Sequence, residues 1–214
     1  MNNKIIISND LEERVDLGIN IFSGIKISVK NGLTEFINTE LKNLKNKYSE
    51  SLPEGYSNSR KLYRSFKIDP TKHRPSSEAL WRRVKKGLEF PRVNLFVDLT
   101  NFLSVKFQIS YGLYDLGKIE GDITAGVGSP GENYEGIRKD IVSLDGKIVL
   151  RDSSGPFGNP SSDSLRTSTE VNTNNILQVL FFMKNDPQRE VILNETGEIF
   201  NKFFNINDTE SFFV

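Results

Sequence analysis

The sequence predicts an α+β fold, and three features carry the prediction. Helical periodicity dominates the first half of the chain. Glycines at 112, 117, 121, 126, 128, 131, 136 and 146 punctuate short segments in its middle, and the most apolar run, Ile176 to Met183, lies near the end. Helices followed by strands, without regular βα alternation, point to a central mixed or partly barrel-like β-sheet flanked by helices.

Taken in order, Ile5-Ile6-Ile7 reads as a first strand. Ile19-Asn20-Ile21-Phe22 with Ile25-Lys26-Ile27-Ser28-Val29 reads as a second strand or a broken pair. From Leu33 to Tyr48 the apolar residues Leu33, Phe36, Ile37, Leu41 and Leu44 recur at helical spacing with lysines between them, which predicts an amphipathic helix. Ser51 to Ser59 is a loop by composition. Pro75-Ser76-Ser77-Glu78 has the make-up of a helix start, with serine to cap the amides and an acid in the first turn; the helix runs to about Lys86 and stops at Gly87. A third helix is expected over Val93 to Phe107, where Leu95, Leu99, Phe102 and Leu103 share a stripe. Lys118 to Ile123 and Lys147 to Leu150 then read as strands joined by tight turns, and Ile176 to Met183 as a buried central strand. The tail, 187–214, is expected to be helical, with Ile199, Phe200, Phe203 and Phe204 on one face.

The whole chain, 1–214, reads as a single domain of ordinary globular composition, 36% hydrophobic and 26% charged, with fifteen Phe. It contains no cysteine, which excludes disulfides, thiolate metal sites and cysteine nucleophiles; one histidine disfavours most zinc sites. No metal and no cofactor is expected. No apolar run reaches membrane-spanning length and the start is too short for a signal peptide, so a cytoplasmic protein without a membrane partner is expected. Net charge is zero, yet Arg60 to Arg92 holds eleven basic residues against three acids. That segment is a candidate footprint for a polyanion, and equally a solvated face.

Four ordered blocks carry a resemblance. They are Tyr63 to Val84 (YRSFKIDPTKHRPSSEALWRRV), Pro91 to Asn101 (PRVNLFVDLTN), Gly112 to Gly121 (GLYDLGKIEG) and Gly155 to Thr167 (GPFGNPSSDSLRT). Together they resemble the freestanding members of the B3/4 domain family, over roughly residues 5–183. The resemblance implies a B3/B4-like fold and kinship with the tRNA-editing module of the phenylalanyl-tRNA synthetase beta subunit. Its implied partner is tRNA or aminoacyl-tRNA, with no DNA expected, and its implied activity is hydrolysis of mischarged aminoacyl-tRNA. In the synthetase a histidine and a glutamate read the phenol of a wrongly attached tyrosine. Here those positions correspond to Gly112 and the vicinity of Pro160-Ser161, so the resemblance does not extend to the tyrosine readers, and loss of those side chains could enlarge the pocket for another amino acid. A non-catalytic tRNA- or RNA-binding module and an amino-acid-binding protein are the alternatives.

Hydrolysis of an already activated ester needs a placed water and donors for the oxyanion, but no covalent nucleophile. The serine-rich loop offers Asp163, Ser164, Arg166 and Thr167 as catalytic candidates: the acid to orient a water, the hydroxyls as donors, the guanidinium to hold an oxyanion. A turn-rich connection with locally bonded side chains is the competing reading. Asn101, Tyr114, Asp115, Glu120 and Asn159 are candidate substrate contacts, and Arg64, Arg74, Arg82, Arg83 and Lys86 candidate RNA contacts. Trp81 or Tyr63 is available to stack on a terminal base. His73, flanked by Lys72 and Arg74, reads as a loop residue, and Gly126 to Gly131 as a turn rather than a dinucleotide-binding loop.

Overall fold

A computed structural model describes residues 4–26, 32–53 and 55–214. In chain order the elements are β1 (Ile5–Ile7), α1 (Asn9–Glu12), β2 (Val15–Ser23), α2 (Leu33–Lys47), α3 (Tyr56–Ser65), α4 (Ser76–Lys85), α5 (Leu95–Phe107) and β3 (Ser110–Asp115). A 3₁₀ turn at Leu116–Lys118 leads into β4 (Ile123–Val127), β5 (Asn133–Glu135), β6 (Ile141–Ser143), β7 (Ile148–Asp152) and β8 (Gly155–Gly158). The chain closes with β9 (Ile176–Met183), α6 (Arg189–Phe203) and β10 (Asp208–Phe213). The α+β class holds, but among the described residues the strands form two four-stranded sheets and a two-stranded ribbon that do not close into a barrel. One sheet, ordered β10-β2-β9-β3, is antiparallel throughout; the other, β1-β4-β7-β8, has one parallel pair, β1 with β4.

The antiparallel sheet is the middle layer, and β9 explains why. Ile176, Leu180 and Phe182 join the core shared with α2, α4, α5 and α6, while Leu177, Val179 and Phe181 join the core shared with β4, β7 and β8. A strand buried on both faces must be apolar at nearly every position, which accounts for the unbroken run. Each of these fully buried side chains contributes about 1.5–3 kcal/mol of transfer free energy. The exception is Gln178, on the helix side, whose amide oxygen accepts from Asn20 (3.1 Å) on β2 and whose nitrogen donates to Thr100 (3.3 Å) on α5.

Several local expectations change. Helix α3 begins at Tyr56, inside the segment whose composition suggests a loop; Gly55 opens it in the left-handed region (φ 76°). Its Ser59 hydroxyl is buried against the Gln108 carbonyl, so this serine serves packing rather than a turn. Pro75 caps α4, with no side-chain cap from the serines; Ser77 and Glu78 point into the protein instead. The next helix matches closely: Asn94 accepts from the Val97 amide and starts α5. Lys118 to Asp122 is not a strand, because Asp115 accepts from the Gly117 amide and bends the chain into the 3₁₀ turn before β4. Gly126 and Val127 complete β4, and a turn at Ser129–Glu132 leads to a strand, not to a phosphate-binding helix. The tail is helical only to Phe203; β10 then returns along β2, pairing Thr209 with Phe22 and Phe213 with Gly18. Ile27 to Val29 lie outside the described residues.

Candidate functional site

Strand β3 is the edge of its sheet, and its outward backbone groups need partners. The 155–167 segment supplies them. The Leu113 amide donates to Asp163 Oδ2 (3.3 Å), and the Asp115 amide donates to the Thr167 carbonyl (2.9 Å). The segment beyond α5 and the serine-rich loop therefore meet along the β3 edge. On the loop's other side, the β5-β6 ribbon holds it through Ile137 N–H to Asp163 O and Leu165 N–H to Glu135 O.

Asp163 is the chemically unusual group here. The residue is half-buried, but its Oδ1 is fully buried with no hydrogen-bond partner. Burial pushes its carboxyl up to about 7, while the Tyr114 phenol and the Leu113 amide pull the other way. A buried acid poised near neutrality can take or give a proton at physiological pH. Tyr134, across the ribbon, donates to the Ser162 carbonyl and accepts from Asn159 Nδ2 (2.7 Å).

The space around Asp163 is not the enlarged hollow that glycine at position 112 implies. Ser110, Gly112 and Tyr114 share one face of β3, and the Tyr114 ring lies in a slot between Gly112 and Gly158. A β-carbon placed on Gly112 would sit 2.6 Å from Tyr114 Cζ, and one on Gly158 would sit 2.5 Å from the same atom. Tyr114 is wholly buried and meets Phe157 edge to face, ring centres 4.9 Å apart. Neither its hydroxyl nor Asp163 Oδ1 makes a hydrogen bond of ordinary geometry, although the phenol lies near enough to the carboxyl to influence it. The volume released by the missing side chain is filled from within.

Most of the other candidates are bound into the scaffold. Ser164 and Thr167 are buried and pair hydroxyl to hydroxyl at 3.0 Å. Arg166 grips Asp152 with two nitrogens (2.8 and 3.0 Å), and the Asp152 side chain is wholly buried. Asn159 accepts from the Ser161 and Ser162 amides (2.7 and 3.1 Å), which withdraws both amides from any oxyanion role in this arrangement. Asp115 accepts from the Gly117 amide and from the Thr173 hydroxyl (2.7 Å). Glu120 is exposed beside Ser154, whose hydroxyl it accepts at 2.7 Å. Asn101 sits half-buried on α5 and, among the described residues, is joined to neither segment by a hydrogen bond. Beside Asn159 a small cavity, about 10 Å³ for the centre of a water, opens between α3 and residues 159–161; Leu62, Phe66 and Lys147 line it. It holds about one water molecule, not an amino-acid side chain.

On the helical side, Trp81 and Tyr63 cannot stack on a base. Trp81 is 1% exposed in the core, and Tyr63, 3% exposed, hydrogen-bonds Ser161 Oγ at 2.8 Å. Trp81 packs among the helices and Tyr63 joins α3 to residues 160–161 instead. Arg64, Lys86 and His73 are exposed, and Arg83 donates to the Glu89 carbonyl (3.0 Å). Arg74 and Arg82 flank Glu78, which the sequence marks as a first-turn helix acid; it is 2% exposed and holds Arg60 as well. Its spacing of four from each arginine was the available signal, whereas Arg60 reaches it from another helix. Asp152 and Tyr134 are structurally central polar residues that sequence reasoning did not single out, and for Glu78 it indicated the helix start but not the cross-helix grip on Arg60. Among the described residues, no group of three or more His, Cys, Asp or Glu could hold a metal ion, and no helix is long and apolar enough to cross a membrane.

A family model described as B3/4 domain matches residues 58–202. Among solved structures, the chain is similar to the crystal structure of an N-terminal fragment of the phenylalanyl-tRNA synthetase beta-subunit from Pyrococcus horikoshii, at 12% sequence identity and a TM-score of 0.48. That likeness covers 92% of this chain and 48% of the other, so the chain spans about half of the fragment's length. No curated protein matches.

Proposed function

The chain belongs to the B3/4 domain family, and from that premise we propose that it acts on aminoacyl-tRNA, hydrolysing the ester of a mischarged species. The observation that carries this reading is the Asp163 carboxyl, held near pKa 7 with one oxygen unpartnered, where the loop meets the β3 edge. In the proposed step Asp163, ionised, takes a proton from a water as that water's oxygen bonds to the ester carbonyl carbon. The bond from that carbon to the ribose oxygen then breaks, and the proton passes to the departing hydroxyl, releasing amino acid and tRNA. The arginine-rich surface of α3 and α4 would hold the RNA. The protein would work as a cytoplasmic, single-domain factor without a cofactor, with Asp163 central and Arg166, Ser164 and Thr167 shaping the loop around it.

One observation favours a second reading, a tRNA-binding module without hydrolytic activity. Tyr114 fills the slot between Gly112 and Gly158, and the Ser164 and Thr167 hydroxyls satisfy each other. Incubating the purified protein with a panel of correctly and incorrectly charged tRNAs, and following ester loss, separates the two. Turnover that disappears in Asp163→Asn supports hydrolysis. Salt-sensitive tRNA binding without ester loss selects the binding module, and neither activity rejects both.

A further inference from the structure

Of the eleven basic residues between Arg60 and Arg92, three converge on one acid, while Arg83 is held by the Glu89 carbonyl and Arg92 by Asn38 and Asp98. Glu78, in the first turn of α4, is 2% exposed. From α3, Arg60 reaches it with two nitrogens, Nε to Oε2 at 2.7 Å and Nη2 to Oε1 at 3.1 Å. Arg82, one turn later on α4, donates its Nε to Oε1 at 2.9 Å, and Arg74, one turn earlier in the chain, brings its Nε to 3.8 Å from the same oxygen. Burial pushes the Glu78 pKa up, but hydrogen bonds from Arg60, Tyr56 and Arg82 outweigh it and leave the carboxyl below its usual range. One negative charge thus stands against three guanidinium groups.

The three arginines are not equivalent. Arg60 is largely covered, at 22% side-chain exposure, whereas Arg74 and Arg82 are each 48% exposed. Arg82 is hydrogen-bonded to the carboxylate through Nε and Arg74 is ion-paired to the same oxygen at longer range, while about half of each side chain stays open to solvent. An arginine already ordered by a buried anchor loses less rotamer freedom on binding an anion than a freely moving lysine does. Lys61, Lys85 and Lys86, on the same two helices, are exposed. Arg83 uses its fork on the Glu89 carbonyl.

We propose that Glu78 is a positioning residue that organises Arg74 and Arg82 into a preformed clamp for the phosphodiester backbone of RNA. The inference rests on the tRNA reading above and specifies which part of the basic segment makes the contact. The clamp makes one prediction that net charge alone contradicts. Removing the Glu78 charge adds a positive charge to the surface, yet it frees the arginines and should weaken binding.

The test is filter binding of uncharged tRNA to the full chain across a salt series. Arg74→Gln with Arg82→Gln should lower affinity by about tenfold or more near physiological salt and reduce the salt slope by about 1.5–2, as expected for two lost phosphate contacts. Lys61→Gln with Lys85→Gln removes the same charge and should cost less than about threefold, because those side chains carry no anchored contact. Glu78→Gln, checked for native circular dichroism, should bind more weakly than wild type. If it fails to fold, the arginine and lysine pairs still decide. Equal losses in the two pairs, tighter binding by Glu78→Gln, or equal competition by polyglutamate overturns the clamp and leaves the tRNA reading standing. A wild-type protein that binds no tRNA overturns both.

Discussion

The Tyr114 ring occupies the space that a side chain at Gly112, two residues earlier on the same face of β3, would need. Any β-carbon at position 112 meets Cζ at 2.6 Å and Cε2 at 2.7 Å, and Gly158 confines the opposite edge of the ring. Gly112 is therefore required by packing and not by backbone freedom. Gly112→Ala should destabilise the protein by about 1–3 kcal/mol through overpacking. In urea denaturation the added cost of that change should shrink in a Tyr114→Ala background, since the colliding ring is gone. A full additive penalty in the double variant would show that the slot is not what excludes the β-carbon.

Asp163 should make stability and turnover respond to pH in opposite directions. Its folded pKa, about 7, lies above the unfolded carboxylate value. The folded state therefore binds the proton more tightly, and that stability is fully present below the unfolded pKa of about 4 and lost as pH rises towards 7. The total change is on the order of a few kcal/mol. Hydrolysis needs the ionised form and should rise with a midpoint near 7. Asp163→Asn should flatten the stability profile between pH 4 and pH 7 and abolish ester loss, as thermal melts and deacylation assays on the same preparations would reveal.

Arg166 anchors the loop through Asp152, whose side chain has no solvent exposure. Replacing Arg166 with Ala strands that carboxylate, although the Glu120 and Ser154 amides still donate to it. A loss of about 1–3 kcal/mol is expected, below the full cost of an unpaired buried charge because those amides remain. Arg166→Ala with Asp152→Asn should recover part of it. If instead the single variant folds with wild-type stability but loses ester cleavage, Arg166 acts on substrate and not through Asp152.

Asn159, 1% exposed, closes three hydrogen bonds at the neck of the loop. Asn159→Ala leaves the Ser161 and Ser162 amides without their acceptor and should cost about 1–3 kcal/mol. Hydrogen exchange at those two amides should accelerate well before global unfolding. Unchanged protection would mean that other acceptors hold them.

Much of the fold was legible because its signals are local. Helices α2 and α5 follow from apolar periodicity, α4 from its Pro75–Glu78 start and its stop at Gly87, and β9 from a run that two-sided burial demands. Helix α3 was not, because Ser57, Asn58 and Ser59 suit a turn as well as a helix, and only the distant Gln108 carbonyl decides the matter. Strand β10 was missed because Asp208 to Phe213 alternates weakly and is defined by pairing with β2, far away in the chain. At the site, residues 112–115 and 163–167 are brought together by hydrogen bonds along the β3 edge, which no local pattern in either segment encodes. That Tyr114 would close the slot between them was written in no single stretch.

By itself the sequence determined the α+β class, the family through its four ordered blocks, the absence of cysteine chemistry and the concentration of cations between Arg60 and Arg92. The tertiary structure decided which of those cations are held by Glu78, which hydroxyls of the serine-rich loop already have partners, and that Asp163 titrates near neutrality. The physical reason is one of range. Periodicity and capping act over a few residues, whereas burial, desolvation and the filling of a slot between two glycines depend on groups that chain order keeps far apart and folding brings together.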